Sequence, residues 1–236
     1  MTKIKFLYFL IAFMIYSQDA MASPGGIVFK AIEKSFWAQI VLLFLFIIFS
    51  PLILYITYAE RLKIRKTYSD LRKIAKIDDN FDWMHLKVRI NDSFLRVHSA
   101  WKKEDMKLAS EWMTTWYWQN QQLVYLDQWE EEGLINICRV KEINTIKPVY
   151  VEFKTAGNGS RVVVAINALI EDYLLKRNTQ EIIEGEKGFN YRETLWTFIL
   201  KDNKWLLENI EASLTLSEYV KLRNVVSEKE AVAKKS

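Results

Sequence analysis

The sequence predicts an α+β fold: a membrane-spanning helix, then helices packed on a curved antiparallel sheet. Three observations carry this. Ser35 to Ala59 is an apolar run without a single charge. Trp83, Leu86, Ile90, Phe94, Val97 and Trp101 recur at spacings of three and four, as one face of a helix requires. Further on the period drops to two, in Val162, Val164, Ile166, Ala168 and Ile170 and again in Trp196, Phe198 and Leu200. An apolar helical stripe and an apolar sheet face are most economically buried against each other.

The 236 residues provide for one domain with appendages, and three prolines and seven glycines leave little room for long linkers. The lone Cys138 excludes an intramolecular disulfide and a multi-cysteine metal site. At the N-terminus, Lys3 and Lys5 precede an apolar run from Phe6 to Tyr16, and Ala20-Met21-Ala22 is a small-x-small cleavage pattern. Residues 1–22 therefore read as a signal peptide and 23–34 as a short extracytoplasmic segment.

The run 35–59 is long enough to span a bilayer with some tilt. Trp37 at one end, with Tyr55 and Tyr58 at the other, matches the aromatic belt at membrane interfaces. Pro51 is tolerated in such helices. Arg61, Lys63, Arg65, Lys66, Arg72, Lys73 and Lys76 follow the span, whereas Lys30, Glu33 and Lys34 nearly balance before it. The positive-inside rule places everything after Ala59 in the cytoplasm.

Residues 60–78 form the juxtamembrane arm, with Ile64, Tyr68, Leu71 and Ala75 as an apolar stripe beside a basic face. Two readings stand together. Arg61, Lys63, Arg65, Lys66, Arg72 and Lys73 either contact an anionic leaflet, each cation adding about 1 kcal/mol, or form a solvated stalk.

The domain proper is expected over 79–216. Asp82 is placed as an N-cap, with Phe81 and Leu86 as a hydrophobic staple. A short helix is predicted from Asp105 to Trp112, and a longer one from Thr114 or Thr115 to the terminator Gly133. Strands follow. Val149, Val151 and Phe153 are predicted on one face of the first, and Lys176 to Gly188 as a polar loop before the last hairpin. If Asp202-Asn203 is a two-residue turn, Leu200 pairs with Trp205 and Phe198 with Leu207. Residues 217–236 read as a charged tail.

"DLRKIAKIDDNFDWMHLKVRINDSFLRVHSAWKKEDMKLASEWM" together with "FNYRETLWTFILKDNKWLLENIE" resembles the "translocase of inner membrane forty-four-like" domain. This is the C-terminal domain of the mitochondrial import-motor tether, and the resemblance runs from about Asp70 to Ala212. It implies a cone of helices against a bent sheet, the nuclear-transport-factor-two-like fold, with an apolar pocket. It also implies a non-catalytic membrane adaptor for protein translocation or membrane-protein assembly at a bacterial inner membrane. The implied partners are anionic lipids and other inner-membrane or translocation proteins, with a ribosome or a chaperone as further candidates. Its own transmembrane span sets this chain apart from the mitochondrial member, and the resemblance does not extend to that member's long chaperone-recruiting N-terminal region. An inner-membrane secretion scaffold of the same general fold is the alternative, with an outward-facing domain.

Catalysis finds little support. His85 and His98 form no metal-binding spacing, no serine sits in a nucleophile elbow, and no glycine loop cradles a phosphate. Asn167, Glu171 and Glu193 are acid–base candidates only if they point into a pocket. No cofactor, metal or DNA is expected. The candidate pocket wall is Trp101, Trp196, Phe198, Trp205 and Leu207; the same pattern also describes plain core.

Overall fold

The computed structural model describes residues 36–154, 158–212 and 216–226. The expected signal peptide, the segment 23–34, part of the turn after Lys154 and the end of the tail lie outside them. Two compact units divide between Tyr58 and Ala59.

Helix α1 (Phe36–Ile74) contributes to both. In the first unit its apolar side chains are exposed, among them Phe44, Ile47, Leu54 and Tyr55. The hydroxyls of Ser50 and Thr57 donate back to the carbonyls of Ile47 and Leu54, three residues earlier. That local bonding lets a polar side chain sit in hydrocarbon. Among the described residues this is the one helix long and apolar enough to cross a membrane.

In the second unit, α1 is built into the domain from Ala59 onward. Leu71 and Ile74 are fully buried in the main core, and Tyr68 meets Trp83 edge-on at 5.2 Å. Ile64 packs instead against a smaller cluster of Val149, Val163, Ala165 and Leu195. The apolar stripe of the arm thus faces protein, and the basic residues Arg61, Arg65, Lys66, Arg72 and Lys73 are left outward.

Lys63 departs from that basic face. It is 7% exposed, and its Nζ donates to the Leu222 carbonyl and to Asn224 Oδ1. Asn224 Nδ2 in turn donates to Thr67 Oγ1 at 3.2 Å and Asp70 Oδ2 at 2.9 Å. Val225 exchanges backbone hydrogen bonds with Val151 and Phe153. The segment after the short helix α5 (Leu216–Lys221) is therefore a strap tying α1 to the sheet.

Helix α2 (Trp83–Lys102) begins where Asp82 Oδ1 accepts from the amides of Met84 and His85. Leu86, Ile90, Phe94 and Val97 are at most 1% exposed. A 3-10 segment, Met106–Trp112, is capped by Asp105. The next helical run begins as α3 (Thr115–Gln121) behind the Thr114 cap. It passes through a π-helical segment (Gln122–Asp127) and ends as α4 (Gln128–Glu131). Gly133, at φ 67°, terminates it.

The sheet is antiparallel in the order β1-β2-β3-β4, with β1 Leu134–Glu152, β2 Arg161–Lys176, β3 Ile182–Lys201 and β4 Lys204–Ala212. The final hairpin is as predicted. Asp202 and Asn203 have φ of 49° and 58°, Leu200 pairs with Trp205, and Phe198 pairs with Leu207. Two expectations need correction. Val149 does not share a face with Val151 and Phe153. A register shift between Pro148 and Tyr150 breaks the two-residue period and puts Val149 in the smaller cluster.

Nor is Lys176–Gly188 a loop. β3 begins at Ile182, and its two glycines take left-handed conformations inside the strand, Gly185 at φ 80° and Gly188 at φ 117°. A Cβ on Gly185 would lie 2.7 Å from the Asp172 carbonyl oxygen, which is backbone and cannot step aside. Gly185→Ala is accordingly expected to cost about 1–3 kcal/mol, measurable as a lowered thermal midpoint.

Candidate functional site

A cavity of about 470 Å3 opens where the helices leave the sheet uncovered. α2 sends Val97, His98 and Trp101 into it. The run α3–π–α4 adds Tyr117, Gln121, Tyr125 and Trp129, and the sheet closes it with Asp172, Arg192, Thr194 and Trp196 among others. Its volume lies in the range of small-molecule sites.

Tryptophan and tyrosine rings form one part of the wall. Trp101, Tyr125 and Trp129 form a mutual cluster with ring centroids 5.7–6.0 Å apart. The π-helical segment lies between Gln121 and Trp129 and carries Tyr125. Its wider turn is held by Gln122, which accepts from the Met106 amide and donates to Asp127 Oδ1 at 2.6 Å. Trp196 stacks on His98 at 5.8 Å and an interplanar angle of 18°, while its indole N–H is already committed to Thr194 Oγ1.

The polar groups differ in how far they are satisfied. The Tyr117 hydroxyl oxygen accepts from the Ile210 backbone amide, and burial nonetheless pushes its pKa up. Burial also pushes the Cys138 thiol up to about 12, which leaves it protonated and a poor nucleophile. Asp172 and Arg192 pair at 3.9 Å. Burial raises the Asp172 carboxyl, opposed by Arg192 and by a hydrogen bond from Asn136. His98 Nδ1 lies 2.8 Å from the Phe94 carbonyl. A carbonyl only accepts, so the ring must donate from Nδ1. Desolvation lowers the pKa of this histidine to about 4, so at neutral pH Nε2 is an unprotonated acceptor. Gln121 is 9% exposed and lines the cavity, and its side-chain amide has no hydrogen-bond partner among the described residues.

Of the five residues read as a pocket wall, Trp101 and Trp196 line the cavity. Phe198, Trp205 and Leu207 do not. They are 0%, 4% and 0% exposed in the closed core, because the helices cover that end of the hairpin. Trp205 spends its indole N–H on the Asn80 carbonyl, beside a separate surface cleft shared by Arg89 and Asn203. The acid–base candidates are not in the cavity either. Asn167 accepts from Asn144 and stands opposite Glu193 in the β2–β3 ladder, and Glu171 is buried between Arg139 at 2.7 Å and the Gly188 amide at 2.9 Å. Among the described residues no group of three or more His, Cys, Asp or Glu could hold a metal ion.

Residues 68–212 match the family model of the Tim44-like domain. The chain belongs to the Tim44-like family. The match begins in α1 and ends with the last residue of β4, so every residue lining the cavity lies inside it. Arg61, Lys63, Arg65 and Lys66 precede the Tim44-like segment, whereas Arg72 and Lys73 fall within it. Among solved structures, the chain is similar to the intermembrane space region of the chloroplast protein ARC6. The identity is 9% and the TM-score 0.35, over 52% of this chain and 95% of that one. No curated protein matches by sequence.

The Tim44-like assignment was legible in the linear pattern, but Gln121, Tyr125, Trp129, Asp172 and Arg192 were not singled out there. Tyr125 and Trp129 carried a usable signal. They lie four and three positions from Gln121 and Leu126, on the edge of a helical face whose middle is apolar.

Proposed function

We propose that this protein is a membrane-tethered, non-catalytic adaptor that supports protein translocation or membrane-protein assembly. The observation that carries this reading is a Tim44-like domain placed directly after a charge-free apolar helix. Membrane tethering then comes from the chain's own span. The excess of Arg and Lys after Ala59 favours an inner-membrane orientation with the domain in the cytoplasm.

The outward residues Arg61, Arg65, Lys66, Arg72 and Lys73 are the candidates for contact with anionic lipid. Lys63 is not among them, since its charge is directed at Leu222 and Asn224. The cavity walled by Trp101 and Trp196 is the candidate receptor for an apolar ligand, lipid or peptide. The adaptor reading is preferred to an enzyme because the carboxylates considered for acid–base work are either committed to partners or placed away from the cavity.

A reporter active in only one compartment, fused after Ser236, tests the orientation. Cytoplasmic activity is expected. Activity only on the outer side would overturn the orientation and favour the secretion-scaffold alternative.

A further inference from the structure

We propose that the cavity selects an uncharged amphipathic molecule, an apolar body bearing a hydroxyl donor, which His98 Nε2 and the Gln121 amide receive. The inference names the ligand class of the pocket proposed above and rests on that reading.

Two polar groups lining the cavity, the second ring nitrogen of His98 and the Gln121 amide, have no hydrogen-bond partner among the described residues. His98 lines the space with its proton on Nδ1, which leaves Nε2 as an acceptor, and its surroundings hold the ring in that orientation. The Phe94 carbonyl holds Nδ1 at 2.8 Å, while the Phe94 and Trp196 rings pack on it at 4.1 Å and 5.8 Å. It therefore offers a lone pair and no proton, and its depressed pKa keeps it so at neutral pH. Gln121 is nine-tenths buried, with both its carbonyl and its amide hydrogens free. A buried polar group left unpaired is costly, about 1–3 kcal/mol, and a ligand that satisfies it recovers part of that cost.

The charges around the space decide the sign of the ligand. Asp172, Glu184 and Arg192 line it, and the single cation is already engaged, Nη1 with the Asp172 carboxylate at 3.9 Å and Nη2 with the Asp172 backbone carbonyl at 3.3 Å. A carboxylate or phosphate would meet an acceptor-only histidine and a net negative lining, with no free cation to compensate its desolvation. A hydroxyl meets neither penalty. It donates to Nε2 and accepts from the Gln121 amide, with its apolar body against Trp101, Trp129 and Trp196.

The test uses the full chain held in amphipol, with an amphipol-only control, titrated by saturation-transfer NMR at neutral pH. The probes are 2-phenylethanol, phenylacetate and ethylbenzene, which share a body and differ in the polar group. 2-Phenylethanol is expected to bind about fivefold more tightly than phenylacetate or ethylbenzene, the size of one hydrogen bond. His98→Phe keeps the ring packing and removes the acceptor. It should weaken 2-phenylethanol about fivefold and leave ethylbenzene unchanged. Gln121→Leu provides the same comparison independently, should the first variant fold poorly. Equal binding of the alcohol and ethylbenzene, untouched by either variant, would overturn donor recognition and leave an apolar pocket standing. Phenylacetate binding as tightly as the alcohol would overturn the exclusion of anions. No binding by any probe would remove the pocket reading itself.

Discussion

Trp196→Ala is expected to destabilise the domain by about 3–5 kcal/mol, the usual cost of removing a buried tryptophan. Its side chain is 1% exposed, packs at 4.9 Å against Phe94 and 6.3 Å against Phe198, and bonds Thr194. Deleting it would enlarge a cavity already present beside it, so the site cannot collapse around the loss, which places the cost toward the upper end. For a domain of this size the thermal midpoint should fall by roughly 10 °C. Trp116→Ala is the control. That ring is 67% exposed, and its removal should change stability by less than about 0.5 kcal/mol. Equal melting of the two variants would mean that the aromatic hairpin does not hold the core together.

The contrast between these two tryptophans shows what periodicity can and cannot reveal. Trp196 belongs to a two-residue alternation, so its face was readable before its neighbours were known. The cap at Asp82, the terminator Gly133 and the turn at Asp202-Asn203 were readable for the same reason. Each rests on chemistry within a few residues, a carboxylate reaching free amides or a backbone forced to positive φ. The failures have the opposite character. Val149 changed faces because β1 is bulged against β2, and a bulge is a property of the pair of strands. Gly185 and Gly188 resemble loop markers until the partner strand shows them inside β3.

The site was less legible than the fold. Alternation says which face of a strand is covered, and does not say where the covering layer ends. Trp196, Phe198, Trp205 and Leu207 thus belonged to one surface, of which the helices close all but the Trp196 end. Lys63 is a second instance. In sequence it is one of seven cations in the arm after the span. Its separation from that group depends on Asn224, 161 positions away, which no local pattern encodes. The strap and the cavity are both products of long-range closure.

His98 gives the second large effect, a stability that falls with acid. Its pKa is lowered from an ordinary 6.5 to about 4 by desolvation, only partly offset by the Phe94 carbonyl. Between those two values the unfolded chain binds a proton that the folded chain refuses, so stability rises with pH across that window and is lost as pH falls through it. Below about pH 4 both states are protonated and the dependence ends. The full difference corresponds to about 3 kcal/mol, from roughly 1.4 kcal/mol per pKa unit. Asp172, Glu184 and Arg192 face the same cavity, and burial raises the Asp172 carboxyl, so the raw pH profile is a sum. The profile of His98→Phe subtracted from that of the native chain isolates the histidine. The difference should grow steadily between pH 6.5 and 4 when unfolding is followed by tryptophan fluorescence. Parallel profiles would show that His98 titrates normally in the folded state, and the lone pair held ready at neutral pH would lose its physical basis.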